Sequence, residues 1–271
     1  MADRFSAIGR RIVLATHRRS GTHLTLDLLR RQFADCASTK RVGESLAELY
    51  LNLERLVDAR RPISQERALA LLGRAPRPIV KTHALPDFAP WQPDHAEFVR
   101  ELLADADVYN VHRDGRDVLA SLHLYQRAFD PAARVPVSEF LRQKHEGMSR
   151  PAFWAHHVLR WRDTPGVRTL AYHEIVGDPR GTVARLAREL ALEPLLREPL
   201  LPRRLSSVWE ARWLRLARRP EVTTVLGDRR GARPVPWRES FSAEDRAFFA
   251  GEAGHALVAL GYEDDDGWVD G

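Results

Sequence analysis

The chain alternates short apolar runs with longer stretches in which leucines recur every three or four positions. Arg11-Ile12-Val13-Leu14-Ala15-Thr16 is the kind of run expected of a strand buried on both faces. The turn Arg18-Arg19-Ser20-Gly21-Thr22 follows, and a helix is predicted from about His23 to Phe33, with Leu24, Leu28 and Phe33 near one face. Residues 44–75 read as helical, because Leu46, Leu49, Leu53 and Leu56 keep helical spacing. Pro78-Ile79-Val80-Lys81, Val108-Tyr109-Asn110-Val111 and Val167–Tyr172 are predicted strands, and a helix through Tyr125 follows the second of these. Pro179 opens a helix carrying Val183, Leu186 and Leu190, and Ser242-Ala243-Glu244-Asp245 reads as an N-cap with an acidic first turn. Alternating strands and helices predict an α/β fold: one domain over residues 1–271 with a central, mostly parallel sheet flanked by helices. The tail, 263–271, is expected to fray.

Composition narrows the classes. Apolar residues make up 44% of the 271, enough for a sizeable core, and 29% charged residues with seven tryptophans argue against disorder. Cys36 is the only cysteine, so no disulfide within the chain and no cysteine zinc site is expected, and a reducing, cytoplasmic compartment fits. No apolar stretch approaches the roughly 18 residues of a membrane span. The net charge of +5 favours anionic ligands. The basic residues are interspersed with acids, however, as on an ordinary solvated surface, so nucleic acid is not the expected partner. Lysine is scarce: Lys40, Lys81 and Lys144 stand among many arginines, which draws attention to the chemistry of each.

Two strand-to-helix junctions look built for anions. Arg18, Arg19, Ser20, Gly21 and Thr22 enter a helix whose first N–H groups are unpaired and carry partial positive charge. This is no Walker A loop, since its first glycine and its lysine are missing. Arg113, Arg116 and Ser121 form a second junction after the strand ending near His112, and Arg229-Arg230-Gly231 makes a later basic loop. Together they imply a ligand with two separated anionic groups.

These segments resemble the PAPS-dependent sulfotransferase family of cytosolic and bacterial type. The family's first loop, PKSGTTW or PRSGTT, is similar to Arg18-Arg19-Ser20-Gly21-Thr22-His23-Leu24. Its 3′-phosphate segment is similar to Arg113, Arg116-Asp117-Val118 and Ser121, and its late R-K-G to Arg229-Arg230-Gly231 followed by Trp237 and Phe241. Its K-T-H-L-P, S-W-x-x-H-V-x-x-W and Y-E-D-x-x-x-D-P resemble the segments from Lys81, Phe153 and Tyr172. The resemblance implies a P-loop-like nucleotide-binding core. It also implies binding of 3′-phosphoadenosine 5′-phosphosulfate, with 3′,5′-adenosine bisphosphate as product, through Arg18 to His23, Arg113, Ser121 and Arg229 to Gly231. Leu24 replaces the family's adenine-contacting tryptophan, so Tyr172 and the segment with Ser207 and Trp209 are the candidates for stacking on adenine.

Sulfuryl transfer needs a base for the acceptor proton and cations for charge on the leaving oxygen. His83 is the expected base, because histidine titrates nearest neutrality. Lys81 and Arg19 are the expected cations, and no metal is required. His123 is held as the alternative base. Trp154, His157 and Trp161 read as the core of a packed helix. A small hydroxylated acceptor is expected against His83, Pro86, Phe88, Trp91 and residues 123–150. The competing functions are a nucleotide-dependent kinase, which the missing Walker lysine disfavours, and a basic nucleic-acid-binding protein.

Overall fold

A computed structural model describes residues 4–41, 43–195, 216, 218, 222–223 and 236–270. Five parallel strands form the central sheet: β1 (Arg11–Thr16), β2 (Leu51–Asn52), β3 (Ile79–Thr82), β4 (Ala106–His112) and, after a small hairpin, β7 (Arg168–Ala171). Their order is β2-β3-β1-β4-β7. The hairpin pairs β5 (Lys144–His145) with β6 (Met148–Ser149).

The pleat sends successive side chains to opposite faces. Ile12 and Leu14 of β1, with Ile79, Tyr109 and Val111, pack on one face against α1 (Thr22–Gln32) and α8 (Pro179–Leu190). Val13, Ala15, Val80 and Val108 pack on the other against α2 (Gln65–Leu72) and α3 (Pro93–Ala104). Both faces are covered, which is why the strands read as continuous apolar runs. A third apolar cluster joins α4 (Gly115–Gln126), α5 (Val137–Arg142), α6 (Arg150–Arg162) and the C-terminal helix Ala243–Ala259. Trp154, His157 and Trp161 are buried on α6.

Two expectations need correction. Residues 44–75 are not one helix: short 3₁₀ turns, Leu46–Leu49 and Leu53–Leu56, flank β2, and only Gln65–Leu72 is α-helical. Leucines three or four apart fit 3₁₀ turns as well as a helix, and hydrogen bonding to β3 decides between them. Residues 263–270, expected to fray, make side-chain contacts with the domain. Glu263 pairs with the buried Arg116 at 2.5 Å, and Trp268 packs edge-on against Trp237 and Phe249. Ser242 does cap the C-terminal helix: its hydroxyl accepts from Asp245 N–H, while the Asp245 carboxylate accepts from Ser242 N–H.

Candidate active site

Because every sheet strand runs the same way, the loops after β1, β3 and β4 open on one edge. β1 lies between β3 and β4, and the carboxyl ends of such strands are where open α/β sheets bind ligands.

The loop after β1 is shaped for an anion. Gly21 caps α1 at φ 100°, and a Cβ there would lie 2.5 Å from Tyr172 Cδ2, so only glycine fits. Arg19 sits at φ 74°, a conformation that costs a non-glycine residue energy and that concentrates at functional sites. Thr22 and Thr16 share a hydrogen bond of 2.7 Å between their hydroxyls. Ser20 Oγ is enclosed with no hydrogen-bond partner. An orphaned donor beside the N-terminus of an 11-residue helix fits an incoming phosphate-type group. His23, on the first turn of that helix, bonds Thr223 Oγ1 at 3.0 Å; burial, then the charge of Lys81, holds its pKa down to about 3.

Arg19 Nε donates to Ser121 Oγ at 3.1 Å, and its guanidinium lies 4.8 Å over the Tyr125 ring. One hydrogen bond thus joins the first loop to α4. Arg113 stacks 4.7 Å over Tyr172 and pairs with Asp117 at 3.0 Å, while its Nε is enclosed without a partner. The structure therefore gathers Arg19, Ser20, Gly21, Thr22, Arg113, Ser121 and Tyr172. Tyr172 lies between Gly21 and Arg113, so part of its ring is already covered. Arg116 is occupied elsewhere: it pairs with Asp114 and Glu263, and its guanidinium lies 4.2 Å from the Trp237 ring centre and 4.4 Å from that of Trp268. Ser207, Trp209, Arg229, Arg230 and Gly231 lie outside the described residues.

His83 follows β3 directly. Its Nδ1 lies 2.7 Å from the Thr16 carbonyl, which makes Nδ1 the protonated nitrogen and leaves the lone pair on Nε2. Among the described residues Nε2 has no hydrogen-bond partner, and the ring lines a cavity of about 240 Å³. Burial, then the Lys81 charge, lowers the His83 pKa to about 3, so the ring is neutral near pH 7. Lys81 is buried with Nζ 5.6 Å from the Tyr50 ring centre. Its pKa is lowered by burial, against the opposing pull of Glu54.

Glu54 is the site residue that sequence reasoning missed. Its Oε1 accepts from His83 N–H at 2.6 Å and from Thr82 Oγ1 at 2.8 Å, and Oε2 is enclosed without a partner at the cavity wall. In the sequence Glu54 is one polar position among leucines at helical spacing, and only the β2–β3 pairing brings it to His83.

Other expectations shift. Arg18, expected on the nucleotide, lines the cavity with His83. His123 does not: its Nε2 faces the Val135 carbonyl at 2.8 Å and its ring packs on Phe140. Phe88 is buried against Trp91 and Trp161, and of the expected acceptor wall Trp91, Gln126, His145, Glu146 and Arg150 line the cavity. Among the described residues no group of three or more His, Cys, Asp or Glu is arranged to hold a metal ion, and no helix is long and apolar enough to cross a membrane.

The family description "Sulfotransferase domain" matches residues 9–200. None of the curated proteins matches. Among solved structures, mouse sulfotransferase SULT7A1 complexed with PAP is similar at TM-score 0.56 and 16% identity, over 94% of this chain and 86% of that one. A sulfotransferase from Alicyclobacillus acidocaldarius is similar at TM-score 0.50 and 18% identity, over 96% of this chain and 99% of that one. At these identities the likeness is one of fold.

Proposed function

Because the chain belongs to the sulfotransferase family, we propose that it moves the sulfonate of 3′-phosphoadenosine 5′-phosphosulfate (PAPS) onto a hydroxyl of a small acceptor, with His83 as the base. The observation that carries this reading is the polarity of the His83 ring, which lines the cavity with Nδ1 committed to the Thr16 carbonyl and the lone pair left on Nε2. The mouse protein of the same fold is complexed with PAP, the nucleotide this reading assigns as product.

PAPS supplies a sulfonate already activated by its bond to phosphate. Ser20, Thr22 and the α1 N-terminus hold the 5′ end, and the orphaned Ser20 Oγ gains a partner there. Arg113 and Ser121 hold the 3′-phosphate, with Arg113 Nε as the unspent donor. Arg19, bonded to Ser121, stands between the two ends. The acceptor oxygen forms its bond to sulfur as the sulfur–phosphate oxygen bond breaks, and the hydroxyl proton passes to His83 Nε2. The charge that appears on the ring strengthens Nδ1–H donation to Thr16. Glu54 holds the His83 backbone, so the ring is fixed before the acceptor arrives. Lys81 and Arg19 meet the charge growing on the leaving oxygen.

The test is His83→Asn. Asparagine retains a polar side chain but accepts no proton. The variant keeps near wild-type affinity for 3′,5′-adenosine bisphosphate by calorimetry, and its turnover falls by about 10²-fold or more. Retained turnover with lowered thermal stability would remove His83 from the chemistry. Failure of the wild type to bind 3′,5′-adenosine bisphosphate in preference to 5′-AMP would remove the donor assignment.

A further inference from the structure

The cavity beside His83 holds two guanidinium groups that the transfer chemistry does not use. Arg18 and Arg150 both line it. Arg18 is exposed at the loop after β1, and Arg150 is the first residue of α6. Most arginines of the sheet and its helices are neutralised: Arg11, Arg67, Arg74, Arg77, Arg116, Arg168 and Arg185 each have a carboxylate within ion-pair distance. Among the described residues no carboxylate comes that close to Arg18 or Arg150. Arg150 lies 4.1 Å over the Phe140 ring, gives one hydrogen bond, to Gln143 Oε1 at 3.2 Å, and keeps an enclosed Nε without a partner.

Two carboxylates also line this cavity, Glu54 and Glu146, and neither is within ion-pair distance of Arg18 or Arg150. Glu54 is engaged by Thr82 and the His83 backbone, and Glu146 sits on the exposed hairpin turn. The two arginines also act on each other: burial lowers the Arg150 pKa, Asp130 opposes this, and Arg18 lowers it further. His145, on the same wall, is likewise lowered by burial, against the pull of Glu146, with Arg150 and Arg18 both contributing. Much of the remaining wall is apolar, with Leu85, Trp91, Leu119, Leu122 and Phe153. A binding site with an apolar wall, a base at one place and two guanidiniums with no carboxylate in contact at another recognises a ring or short chain that ends in an acid.

We propose that the acceptor carries, besides the hydroxyl that reaches His83, an anionic group, a carboxylate or a sulfate ester, held by Arg18 and Arg150. This rests on the sulfotransferase reading of the same site and names the chemical class of its acceptor. The anion takes the charge-assisted donors that the protein leaves unfilled, and its attachment to the apolar body fixes how far the hydroxyl extends toward Nε2.

The experiment titrates the full chain, preloaded with 3′,5′-adenosine bisphosphate, with four matched ligands: 4-hydroxyphenylacetate, 4-hydroxyphenyl sulfate, 4-ethylphenol and tyramine. At least one anionic ligand binds about tenfold or more tightly than both the neutral and the cationic one, as one charge-assisted contact predicts. Which of the two anions leads distinguishes carboxylate from sulfate. Arg150→Gln and Arg18→Gln, tested separately, each remove most of that advantage, and Arg150→Gln leaves the affinity for the bisphosphate unchanged. Equal or better binding of 4-ethylphenol or tyramine, no binding of any of the four, or a preference that survives both substitutions would overturn the proposal. Loss of bisphosphate binding in Arg18→Gln would overturn it as well, by assigning Arg18 to the nucleotide. Failure of the sulfotransferase reading is seen separately, as a wild-type protein that does not take up the bisphosphate in the preloading step.

Discussion

His157 is fully buried on α6, and its protonation is the sharpest test of how this site keeps its histidines neutral. Its Nε2–H donates to the His83 carbonyl at 3.1 Å, and its Nδ1 is enclosed with no partner. Burial, then the proximity of His83, lowers its pKa to about 3. In the unfolded chain the value returns to about 6.5. Between these values the unfolded chain holds a proton that the native protein does not. Stability from this group is therefore complete above pH 6.5 and is lost as pH falls toward 3. The span from 6.5 to about 3, at about 1.4 kcal/mol per unit, amounts to about 5 kcal/mol at the acid end. That is comparable with the whole stability of many domains.

The perturbation is His157→Gln, whose amide keeps a donor near the Nε2 position while removing the titration. Urea unfolding is measured at intervals from pH 7 to pH 4.5. The wild type loses stability steeply with acid, and the variant's slope is shallower by about 1.4 kcal/mol per pH unit in the lower half of that range. Comparing slopes cancels the other titrating groups, including Asp27, whose pKa burial raises to about 6 and which acts with the opposite sign. Parallel slopes would refute the reasoning, because they would mean that His157 takes up its proton equally in both states.

Other expected outcomes follow from the same geometry. The acid limb of kcat/KM for the wild type lies well below the free-histidine value of about 6.5, because the His83 pKa is lowered to about 3 and the base stays unprotonated until strongly acidic pH. A limb at or above 6.5 would show that the titrating base is another group. Gly21→Ala places a methyl 2.5 Å from Tyr172 at a backbone angle only glycine takes easily, and loses about 1–3 kcal/mol of stability together with nucleotide affinity by calorimetry. Arg116→Ala leaves Asp114 and Glu263 without their cation and removes the guanidinium that packs on both Trp237 and Trp268. Its stability to urea drops by about 3–5 kcal/mol, and Arg116→Lys does not restore it, because an ammonium lacks the forked donors and flat faces that meet two carboxylates and two rings. Arg19→Ala weakens 3′,5′-adenosine bisphosphate binding more than Arg18→Ala, since Arg19 is the residue bonded to Ser121; the reverse order would put Arg18 on the nucleotide.

The sequence alone determined what depends on short-range pattern. β1, β3 and β4 were legible because strands covered on both faces carry apolar side chains on both, and the edge strand β7 because its Leu170-Ala171 end is buried. The first loop was legible because a glycine at φ 100° beside a helix start leaves few alternatives. His83 and Lys81 stood out because lysine is scarce and the Lys-Thr-His order resembles a family motif. Tertiary structure decided what depends on distance along the chain. Leucine spacing around residue 50 fits a helix or 3₁₀ turns equally, and only hydrogen bonds to β3 turned it into β2 and carried Glu54 to the His83 backbone. Nothing near Glu263 and Trp268 announces that Arg116, about 150 residues earlier, needs a carboxylate and an aromatic wall. Arg18 and Arg19 are adjacent and chemically alike in the sequence. The backbone turn at Arg19 sends its side chain to Ser121 while Arg18 lines the cavity, because a left-handed residue reverses the local chain direction. The lowered pKa of Arg19, like that of His83, comes from burial among residues far apart in sequence, and burial is the quantity a linear pattern carries least.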